Sequence, residues 1–489
     1  MSANKRIPHI DTTTYGKRSS GVERARRRKG RARTSSAASP SNTKMLLTRR
    51  NLLLGAAGIG VVAAGVAGTR VLSNREESTD EIKTLQVPED AVFDLESCAE
   101  FDPYDAFEMV GDFELPFGTL LWANDDNVAA CLFPTDEPSP LVHMGVLHLT
   151  SGGFYTLREH AVGEEEGFEI YDVRASSSGM VWMEAAIMEG LWRIYVASLS
   201  ADLSLGEPQL VEEGDASMEI PNFTIIDDYA YWQCMAPVTN ENARREPSSI
   251  RCARAGDGKA KTLYDSVGRM SAPLTTYENS IIFSPRHPDA TSYCDLMRID
   301  ASSGKVLDSL TLPSGMYPHQ IAYGATGFSF CFENIYDYGG GISNLGSYTP
   351  AEIHNAEKYD DLSWFRFNRT PTTAPCWCGD NWFMVKSNQS VCAVNFTNKV
   401  FCSFGVESGC LDWGDFLISS GKREKIVTAM QIDDTDTEGN ETKMTQVRVW
   451  QALGNTPDAS SAVVEAADIP YEANVSTSSS DSDSADQAQ

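Results

Sequence analysis

The sequence lacks the residue patterns that most enzymes use for catalysis. It contains no Gly-x-Ser-x-Gly motif, no His-Glu-x-x-His motif and no complete phosphate-binding loop; these place a serine nucleophile, a zinc ion or a nucleotide phosphate. Histidine is scarce, with 7 residues in 489. His143 and His148 fall on opposite faces of a predicted strand, which disfavours a shared metal ion. We therefore predict no catalytic, cofactor-binding or metal-binding residues.

Acidic residues are almost absent from the first 75 positions. This stretch has 16 Lys and Arg against only Asp11 and Glu23, a net charge of +14, and the other 414 residues have 24 basic and 66 acidic side chains, a net charge of −42. Such asymmetry indicates that the two parts face different environments. The acidic part should repel a polyanion, so we exclude nucleic acid as a partner.

Long apolar runs are also rare, and the chain has one uncharged stretch of this kind, residues 51–69, with the sequence NLLLGAAGIGVVAAGVAGT. At about 1.5 Å per helical residue, its length is close to that of a bilayer-spanning helix. Lys44, Arg49 and Arg50 precede it, so the positive-inside rule keeps the N-terminus in the cytoplasm. The sequence thus predicts one N-terminal hydrophobic helix that contacts the membrane through residues 51–69.

The residues before this stretch, Thr48-Arg49-Arg50-Asn51-Leu52-Leu53-Leu54, resemble the signature of a twin-arginine export signal. The resemblance implies that Arg49 and Arg50 engage the twin-arginine translocase, and that the rest of the chain is exported, either secreted or held at the cell membrane. The alternative is a plain membrane anchor whose arginines only set its orientation. Whether the segment is cleaved stays open, and Met45 is a second candidate start.

All eleven cysteines lie between Cys98 and Cys410, beyond the hydrophobic stretch. That placement fits an oxidising exterior, although free cysteine is also often buried. Cys234 and Cys252 flank one loop, and Cys392 and Cys402 flank another. Antiparallel neighbouring strands could bring either pair into bonding range, so these four are the disulfide candidates.

Beyond residue 90 almost no stretch has a 3.6-residue apolar period. Short β-branched and aromatic runs alternate with Gly, Asn, Asp and Ser clusters, which predicts an all-β domain. The runs recur about every 50 residues, several followed by a second strand pair with a polar turn, and they centre on Leu120-Leu121-Trp122, Val181-Trp182-Met183, Ala230-Tyr231-Trp232, Ile281-Ile282-Phe283, Phe328-Ser329-Phe330 and Trp382-Phe383-Met384.

This period is typical of β-propeller blades. We count seven units, with six and eight as the nearest alternatives, and one degenerate unit between Ile335 and Pro375. The turn in residues 300–307 (DASSGKVL) resembles the outer-hairpin turn of quinoprotein-like and YVTN-like propellers. Two stacked β-sandwiches are the competing architecture. A closed ring should bring residues 91–95 next to residues 425–450.

The sequence divides into five parts: a basic tail at 1–44 without a core, the signal or transmembrane helix at 45–70, a linker at 71–90, the propeller at 91–470, and an acidic low-complexity tail at 471–489.

We expect a non-catalytic binding module at the cell envelope whose partner is an unidentified envelope protein or glycan. The alternatives are a propeller enzyme that uses carboxylates of its central face on a polysaccharide or similar substrate, and a single-pass sensor whose basic tail binds a cytoplasmic partner. The longest loop, residues 336–375, contains Tyr348, Trp364, Phe365 and Phe367. It could form a ligand platform or pack on its own aromatic side chains, and we favour packing.

Overall fold

The computed structural model describes residues 82–238, 245–332, 342, 346–353, 359 and 361–454, all within one compact unit, Ala56–Gln489. Arg49, Arg50 and the hydrophobic stretch 51–69 lie outside the described residues, as does the acidic tail. In the part of the chain that is described, no helix combines the length and hydrophobicity of a transmembrane span.

The described residues form an all-β structure, with 52% of them in strands and 4% in helices, as the sequence predicted. In chain order the strands are β1 (Val92–Phe93), β2 (Ala99–Glu100), β3 (Phe107–Leu115), β4 (Leu120–Trp122), β5 (Val128–Pro134), β6 (Val142–His148), β7 (Phe154–Arg158), β8 (Glu169–Ala175), β9 (Gly179–Ala186), β10 (Leu191–Ser198), β11 (Gln209–Gly214), β12 (Phe223–Ile226), β13 (Tyr229–Cys234), β14 (Ser248–Arg254), β15 (Lys261–Ser266), β16 (Thr275–Tyr277), β17 (Ser280–Phe283), β18 (Asp295–Asp300), β19 (Val306–Thr311), β20 (Gln320–Gly324), β21 (Gly327–Cys331), β22 (Ser347–Pro350), β23 (Trp364–Phe367), β24 (Cys376–Cys378), β25 (Trp382–Lys386), β26 (Val391–Asn395), β27 (Val400–Ser403), β28 (Cys410–Leu417), β29 (Lys422–Arg423), β30 (Lys425–Thr435) and β31 (Glu441–Ala452). The described 3-10 helices are Glu89–Ala91, Leu95–Ser97, Pro103–Asp105 and Glu164–Glu166.

The strands form a β-propeller. Six blades each contain four consecutive strands: β4–β7 (blade 1), β8–β11 (blade 2), β12–β15 (blade 3), β16–β19 (blade 4), β20–β23 (blade 5) and β24–β27 (blade 6). The first strand of each blade contacts the first strand of the next, from β4 through β24. These first strands therefore surround a common axis, and the fourth strands lie outermost.

A further four-stranded sheet combines the two ends of the described chain, in the order β28-β30-β31-β3, and we call it the closing sheet. β3 pairs with β31 over the register Phe107↔Ala452 to Leu115↔Thr445. Because β3 is the fourth strand of a sheet whose other strands come from residues 410–452, this sheet joins the N-terminal part of the domain to its C-terminal part and covers the edge of β31. The propeller thus has six blades, one of the two alternatives to the predicted seven, and the closing sheet is the seventh sheet of the ring.

The strand that closes the ring is not the one expected. Residues 91–95 were predicted to approach the terminal hairpin, but Val92 pairs in parallel with Trp364 at the outer edge of blade 5. Ala99 pairs likewise with Val400 on blade 6. The N-terminal segment therefore adds to two blades before β3 reaches the closing sheet. A two-residue strand such as β1 forms too few cross-strand pairs for its sequence to specify a partner.

The repeated apolar runs are strands, as predicted. One of them is the first strand of its blade, whereas the others are second strands. The runs at Trp182, Trp232 and Trp382 lie in the second strands of blades 2, 3 and 6, whereas Leu120–Trp122 is the first strand of blade 1. The second strand of blade 1 is Val128–Pro134, which is buried over six of its seven positions. Second strands pack against neighbouring blades on both faces, and for this reason they read as continuous apolar runs.

Three tryptophans expected in the core are buried, since Trp182, Trp232 and Trp382 are 0%, 0% and 2% exposed. Part of the predicted linker also belongs to the core. Leu85 donates its backbone N–H to the carbonyl oxygen of Thr311 at 2.8 Å, and Leu85 and Val87 are buried. Leu85 and Val87 therefore belong to the folded core, although the polar composition of residues 71–90 predicted a linker there.

All eleven cysteines are free in the structure, and the strand registers place the two members of each predicted pair on opposite faces of their blade. Cys392 lies opposite Ser403, whereas Cys402 lies opposite Ala393. Directly opposite residues share a face and successive residues alternate, so these two thiols point to opposite faces of blade 6. Each belongs to a different core cluster.

The same geometry separates Cys234 from Cys252. Cys234 lies opposite Ser249, and Cys252 lies opposite Tyr231. The two thiols therefore face different sides of blade 3, and they contact different core clusters. The sequence predicted that each pair lies on adjacent strands. It did not reveal the strand register, which decides the face of the blade to which each thiol points.

A candidate cleft at one end of the channel

The turns between the first and second strands of the blades meet at one end of the central channel. In blade 1 this turn contains Asn124 and Asp125, in blade 3 it contains Asp227, and in blade 4 it contains Glu278 and Asn279. Together with Arg423 of β29 they line a cleft of about 170 Å³, whose full lining is Asn124, Asp125, Ser176, Ile225, Ile226, Asp227, Thr276, Glu278, Asn279 and Arg423.

The channel is crossed at this end by residues 418–425, which we call the cross-channel segment. It bonds to blade 1, where Ser420 N donates to the carbonyl oxygen of Ala123 at 3.1 Å, and to blade 6, where Trp377 N donates to the carbonyl oxygen of Gly421 at 2.8 Å. It also reaches blade 4, because Lys422 Nζ lies 3.2 Å from Glu278 Oε1. A segment held by three separated blades lies across the axis, and its Arg423 lines the cleft.

Gly421 makes this close approach feasible. Its φ is +73°, a conformation that L side chains rarely adopt. A Cβ at this position would lie 2.6 Å from the carbonyl oxygen of Thr276. The backbone of the cross-channel segment can therefore lie against blade 4 only with glycine here.

Arg423 brings a positive charge to the cleft. Its Nε donates to the carbonyl oxygen of Ser420 at 2.9 Å, and it forms no ion pair with a described carboxylate. Burial lowers the pKa of the guanidinium, and the negative charges of Asp126 and Asp125 oppose that shift. Arg423 is half-buried, so its remaining N–H groups can donate hydrogen bonds to a ligand in the cleft.

Two buried side chains of the cleft have a polar atom without a hydrogen-bond partner. They are Asn124 Oδ1 and Thr276 Oγ1, and their residues are 8% and 2% exposed. Asn124 Nδ2 is engaged, since it lies 2.9 Å from Ser420 Oγ. An unpartnered buried polar atom costs about 1–3 kcal/mol; both atoms are shielded from solvent, so a ligand in the cleft would reach them only after a movement of its wall.

The carboxylates of the cleft have mainly structural partners. Asp125 Oδ1 accepts from Asn127 N at 2.7 Å and from Ser177 Oγ at 2.8 Å, which connects blade 1 to blade 2. Glu278 pairs with Lys422 at 3.2 Å. Asp227 is exposed at the rim, with a φ of +49° in its turn.

The structure assigns the aromatic residues of the long loop to the core. Tyr348, Trp364, Phe365 and Phe367 lie in β22 and β23 and are at most 3% exposed. They therefore form no ligand platform. This agrees with the interpretation favoured from the sequence, in which these aromatic side chains pack on one another. In the described residues, no group of three or more His, Cys, Asp or Glu side chains could hold a metal ion.

Sequence reasoning did not find the cleft. Its signal is present as short polar turns after each first strand, such as Asn124-Asp125-Asp126 and Asp227-Asp228. The first strands are only three or four residues long in blades 1, 3 and 4, so the repeat was recognised from the second strands instead, and the turns were not aligned.

No protein-family model and no curated protein matches this sequence. Solved structures with a similar fold include a prolyl endopeptidase (11% identity, TM-score 0.43, covering 67% of this chain and 50% of that one) and TolB from Acinetobacter baumannii (12%, 0.31, 64% and 76%). An oligogalacturonate lyase has 8% sequence identity and a TM-score of 0.41, and the match covers 71% of this chain and 98% of that one.

The chain spans about half the length of the prolyl endopeptidase it matches. Identities this low extend to the fold alone. The sheet topology above defines the class: this chain is a β-propeller protein.

Proposed function

We propose that this chain is an exported β-propeller that acts as a non-catalytic binding module at the cell envelope, with the channel-end cleft as its ligand site. The observation that carries the proposal is the cleft itself, in which Arg423 meets the polar turns of blades 1, 2, 3 and 4 at one end of the channel. Concave sites with a few convergent polar groups are the usual form of ligand sites.

Binding fits the cleft better than catalysis. Carboxylate chemistry needs one group to give a proton and another to take one. Here Asp125 accepts hydrogen bonds from the turn of blade 1, and Glu278 is paired with Lys422. Both carboxylates thus serve the fold, which leaves Asp227 alone at the rim. The alternative of a polysaccharide-degrading enzyme would require a second carboxyl that titrates.

To test the ligand site, the full chain is immobilised and exposed to solubilised envelope proteins and glycans, with an Arg423→Met variant in parallel. Arg254→Met is the matched control, because Arg254 belongs to the same end of blade 3 but pairs with Asp228 at 2.7 Å. We expect retention by the wild type and the control, and loss with Arg423→Met. Equal retention by all three proteins, or release of cleaved glycan, would overturn the proposal.

Export rests on Arg49 and Arg50 together with the charge asymmetry of the chain. A reporter fused after residue 90 should leave the cytoplasm, and the double variant Arg49→Lys with Arg50→Lys should retain it there. Arg27→Lys with Arg28→Lys is the matched control, since it changes another arginine pair of the basic tail. Undiminished export of the first variant would mean that residues 51–69 are an ordinary anchor, independent of the twin-arginine translocase.

A further inference from the structure

We propose that the end of the propeller opposite the cleft rests on the lipid bilayer, so that the cleft faces away from the membrane. This inference rests on the proposed export, with residues 51–69 kept in the membrane as an anchor. It follows from the point at which the chain enters the propeller and from an exposed apolar patch at the same end.

The strand directions identify the two ends of the propeller. The turns after the first strands line the cleft, so the first strands run towards it. Neighbouring strands of blades 2 and 4 are antiparallel, and therefore their second and fourth strands run towards the opposite end, which we call the far end. Loops that follow a second or fourth strand, or precede a first strand, lie at the far end.

The chain enters the propeller at the far end. Leu85 N donates to the carbonyl oxygen of Thr311 at 2.8 Å, and Thr311 is the last residue of β19, a fourth strand. Leu85 is fixed there, because it is buried in one core cluster with Leu312 and Met316 of the loop after β19. Residues 70–84, fifteen in all, separate Leu85 from the apolar stretch 51–69, and a chain of this length reaches at most about 55 Å. The shortest path to the membrane therefore starts from the far end.

Blade 2 exposes an apolar patch at this end. Met188 and Ile187 form the tip of the hairpin between β9 and β10 and are 85% and 42% exposed. Val162, in the loop before β8, is also 42% exposed. The exposed Ala216, in the loop after β11, lies against the hairpin, because a Cβ on Gly190 would be 3.0 Å from Ala216 Cβ. Met188, Ile187, Val162 and Ala216 together form what we call the far-end patch.

A buried carboxylate holds the patch in place. Glu184 of β9 is 0% exposed and accepts hydrogen bonds from Val162 N at 2.6 Å and Gly163 N at 2.9 Å. Its Oε1 also accepts from Trp182 Nε1 at 3.0 Å. The loop that carries Val162 is thus fixed beside the hairpin, and an apolar surface that is already ordered loses little entropy when it is covered.

The tether identifies the bilayer as the partner of this patch. Exposed apolar patches mark contacts with proteins or with membranes. An anchor on a short linker keeps the bilayer at an effective concentration of roughly millimolar, so that four side chains are sufficient for contact. A free protein partner has no such advantage and needs a larger interface.

The charge around the patch specifies the kind of contact. Glu164, Glu165 and Glu189 border it and are exposed, so anionic headgroups are repelled within a Debye length. The patch therefore meets the apolar interior of the bilayer, and lipids without net charge favour the contact. With the far end on the membrane, the cleft is open to envelope proteins and glycans rather than to lipid headgroups.

Photo-crosslinking of the full chain in phosphatidylcholine nanodiscs tests the orientation. A benzophenone amino acid replaces Met188 in one variant and Ile353 in the other. Ile353 is the matched control, since it is 82% exposed but follows β22, a third strand, and so lies at the cleft end. We expect lipid adducts by mass spectrometry at position 188 and only background at position 353. Equal adducts at both positions, or adducts at 353 alone, would overturn the inference.

A second experiment separates the patch from the tether. With the photoreactive amino acid in place of Val162, the double variant Ile187→Asp with Met188→Asp should lower the yield of lipid adduct about tenfold, because charged side chains enter lipid poorly. Val306→Asp with Leu307→Asp is the control, as these exposed residues begin β19 at the cleft end, and it should leave the yield unchanged. Phosphatidylglycerol in the disc should lower the yield. An unchanged yield in the first double variant, or a rise with phosphatidylglycerol, would contradict a contact made by the patch.

Two outcomes in cells distinguish this inference from the function on which it rests. An exported domain that is recovered in the soluble fraction without residues 51–69 would overturn the orientation and leave the binding module standing, because the cleft does not depend on the anchor. A reporter that stays in the cytoplasm in the export test would remove the proposed location and the orientation together.

Discussion

Arg448 of β31 donates to the carboxylate of Asp415 in β28 at 2.9 Å, in a position where the Asp415 side chain is completely buried. The two strands belong to the closing sheet, on either side of β30. Lys386 of blade 6 adds to this cluster, since its Nζ donates to the carbonyl oxygen of Trp413 at 2.8 Å and to that of Asp415. The charged cluster therefore connects blade 6 to the joint at which the ring closes.

The first prediction concerns the pH dependence of stability. Burial raises the pKa of Asp415 to about 6, although Arg448 opposes the shift. The unfolded chain has an ordinary Asp pKa of about 3.9. Because the folded state holds this proton more tightly, the stabilising contribution is complete below about pH 4 and is lost as the pH rises through about 6. It amounts to at most about 3 kcal/mol.

Urea unfolding from pH 4 to 8 tests this prediction. The free energy of unfolding of the wild type, minus that of Asp415→Asn, should fall across the window from pH 4 to 6 and then level. Asp257→Asn, at an exposed turn, serves as the control and should show no such trend. A difference that rises with pH would contradict the raised pKa.

The second prediction concerns the cost of breaking the same ion pair. Arg448→Met alone leaves a buried carboxylate without its cation and should destabilise the protein by about 3–5 kcal/mol. Arg448→Met combined with Asp415→Leu removes both charges and should recover most of that loss. The free energy of unfolding of the two variants at pH 7 is the measurement. Equal destabilisation by both would show that packing, not the unpaired charge, dominates.

The third prediction concerns the core of blade 2. Trp182 is fully buried and stacks on Tyr195 at 5.5 Å, and its Nε1 donates to Glu184 Oε1 at 3.0 Å. Trp182→Ala should therefore cost about 3–5 kcal/mol of the free energy of unfolding. Met188 lies at a hairpin tip and is 85% exposed. Met188→Ala should therefore lower the free energy of unfolding by less than about 0.5 kcal/mol. Similar midpoints for both variants in chemical denaturation would contradict the packing.

The fourth prediction concerns ring closure. A chain that lacks residues 107–115 loses β3 and exposes the edge of β31, and exposed edges promote association. We expect this variant to form soluble aggregates or oligomers on size-exclusion chromatography. A chain that ends at Gly454 retains every described strand and should elute as the full-length protein does. A monodisperse, cooperatively folding β3 deletion would show that the joint contributes little.

The fifth prediction concerns the thiols. Eight of the eleven cysteines are buried and the rest are half-buried, and burial raises the pKa of Cys98 to about 11. Because the thiolate is the reactive form, alkylation of the native protein at pH 7.5 should be slow. Alkylation after unfolding without reductant should label all eleven cysteines. Mass spectrometry that finds a bridge between Cys392 and Cys402 would contradict the register of blade 6.

The β-propeller class could be predicted because each blade repeats the same local demands. A second strand packed between two neighbouring blades must be apolar on both faces, and a hairpin turn must be polar, so both recur in the sequence near Trp182, Trp232 and Trp382. The degenerate unit also proved to be a blade, with β22 and β23 supplying its outer strands. Composition and periodicity alone were sufficient for these conclusions.

The partners in space could not be predicted, because they depend on contacts between segments far apart in the chain. Pairing of Val92 with Trp364, and the opposite faces of Cys392 and Cys402, follow from registers that no local pattern encodes. The cleft is the clearest case: Asn124, Thr276 and Arg423 are separated by some 150 residues at each step. The sequence by itself determined the repeat and its strands, since these are local. The ring brought the short polar turns together around one axis, and so only the tertiary structure decided the site.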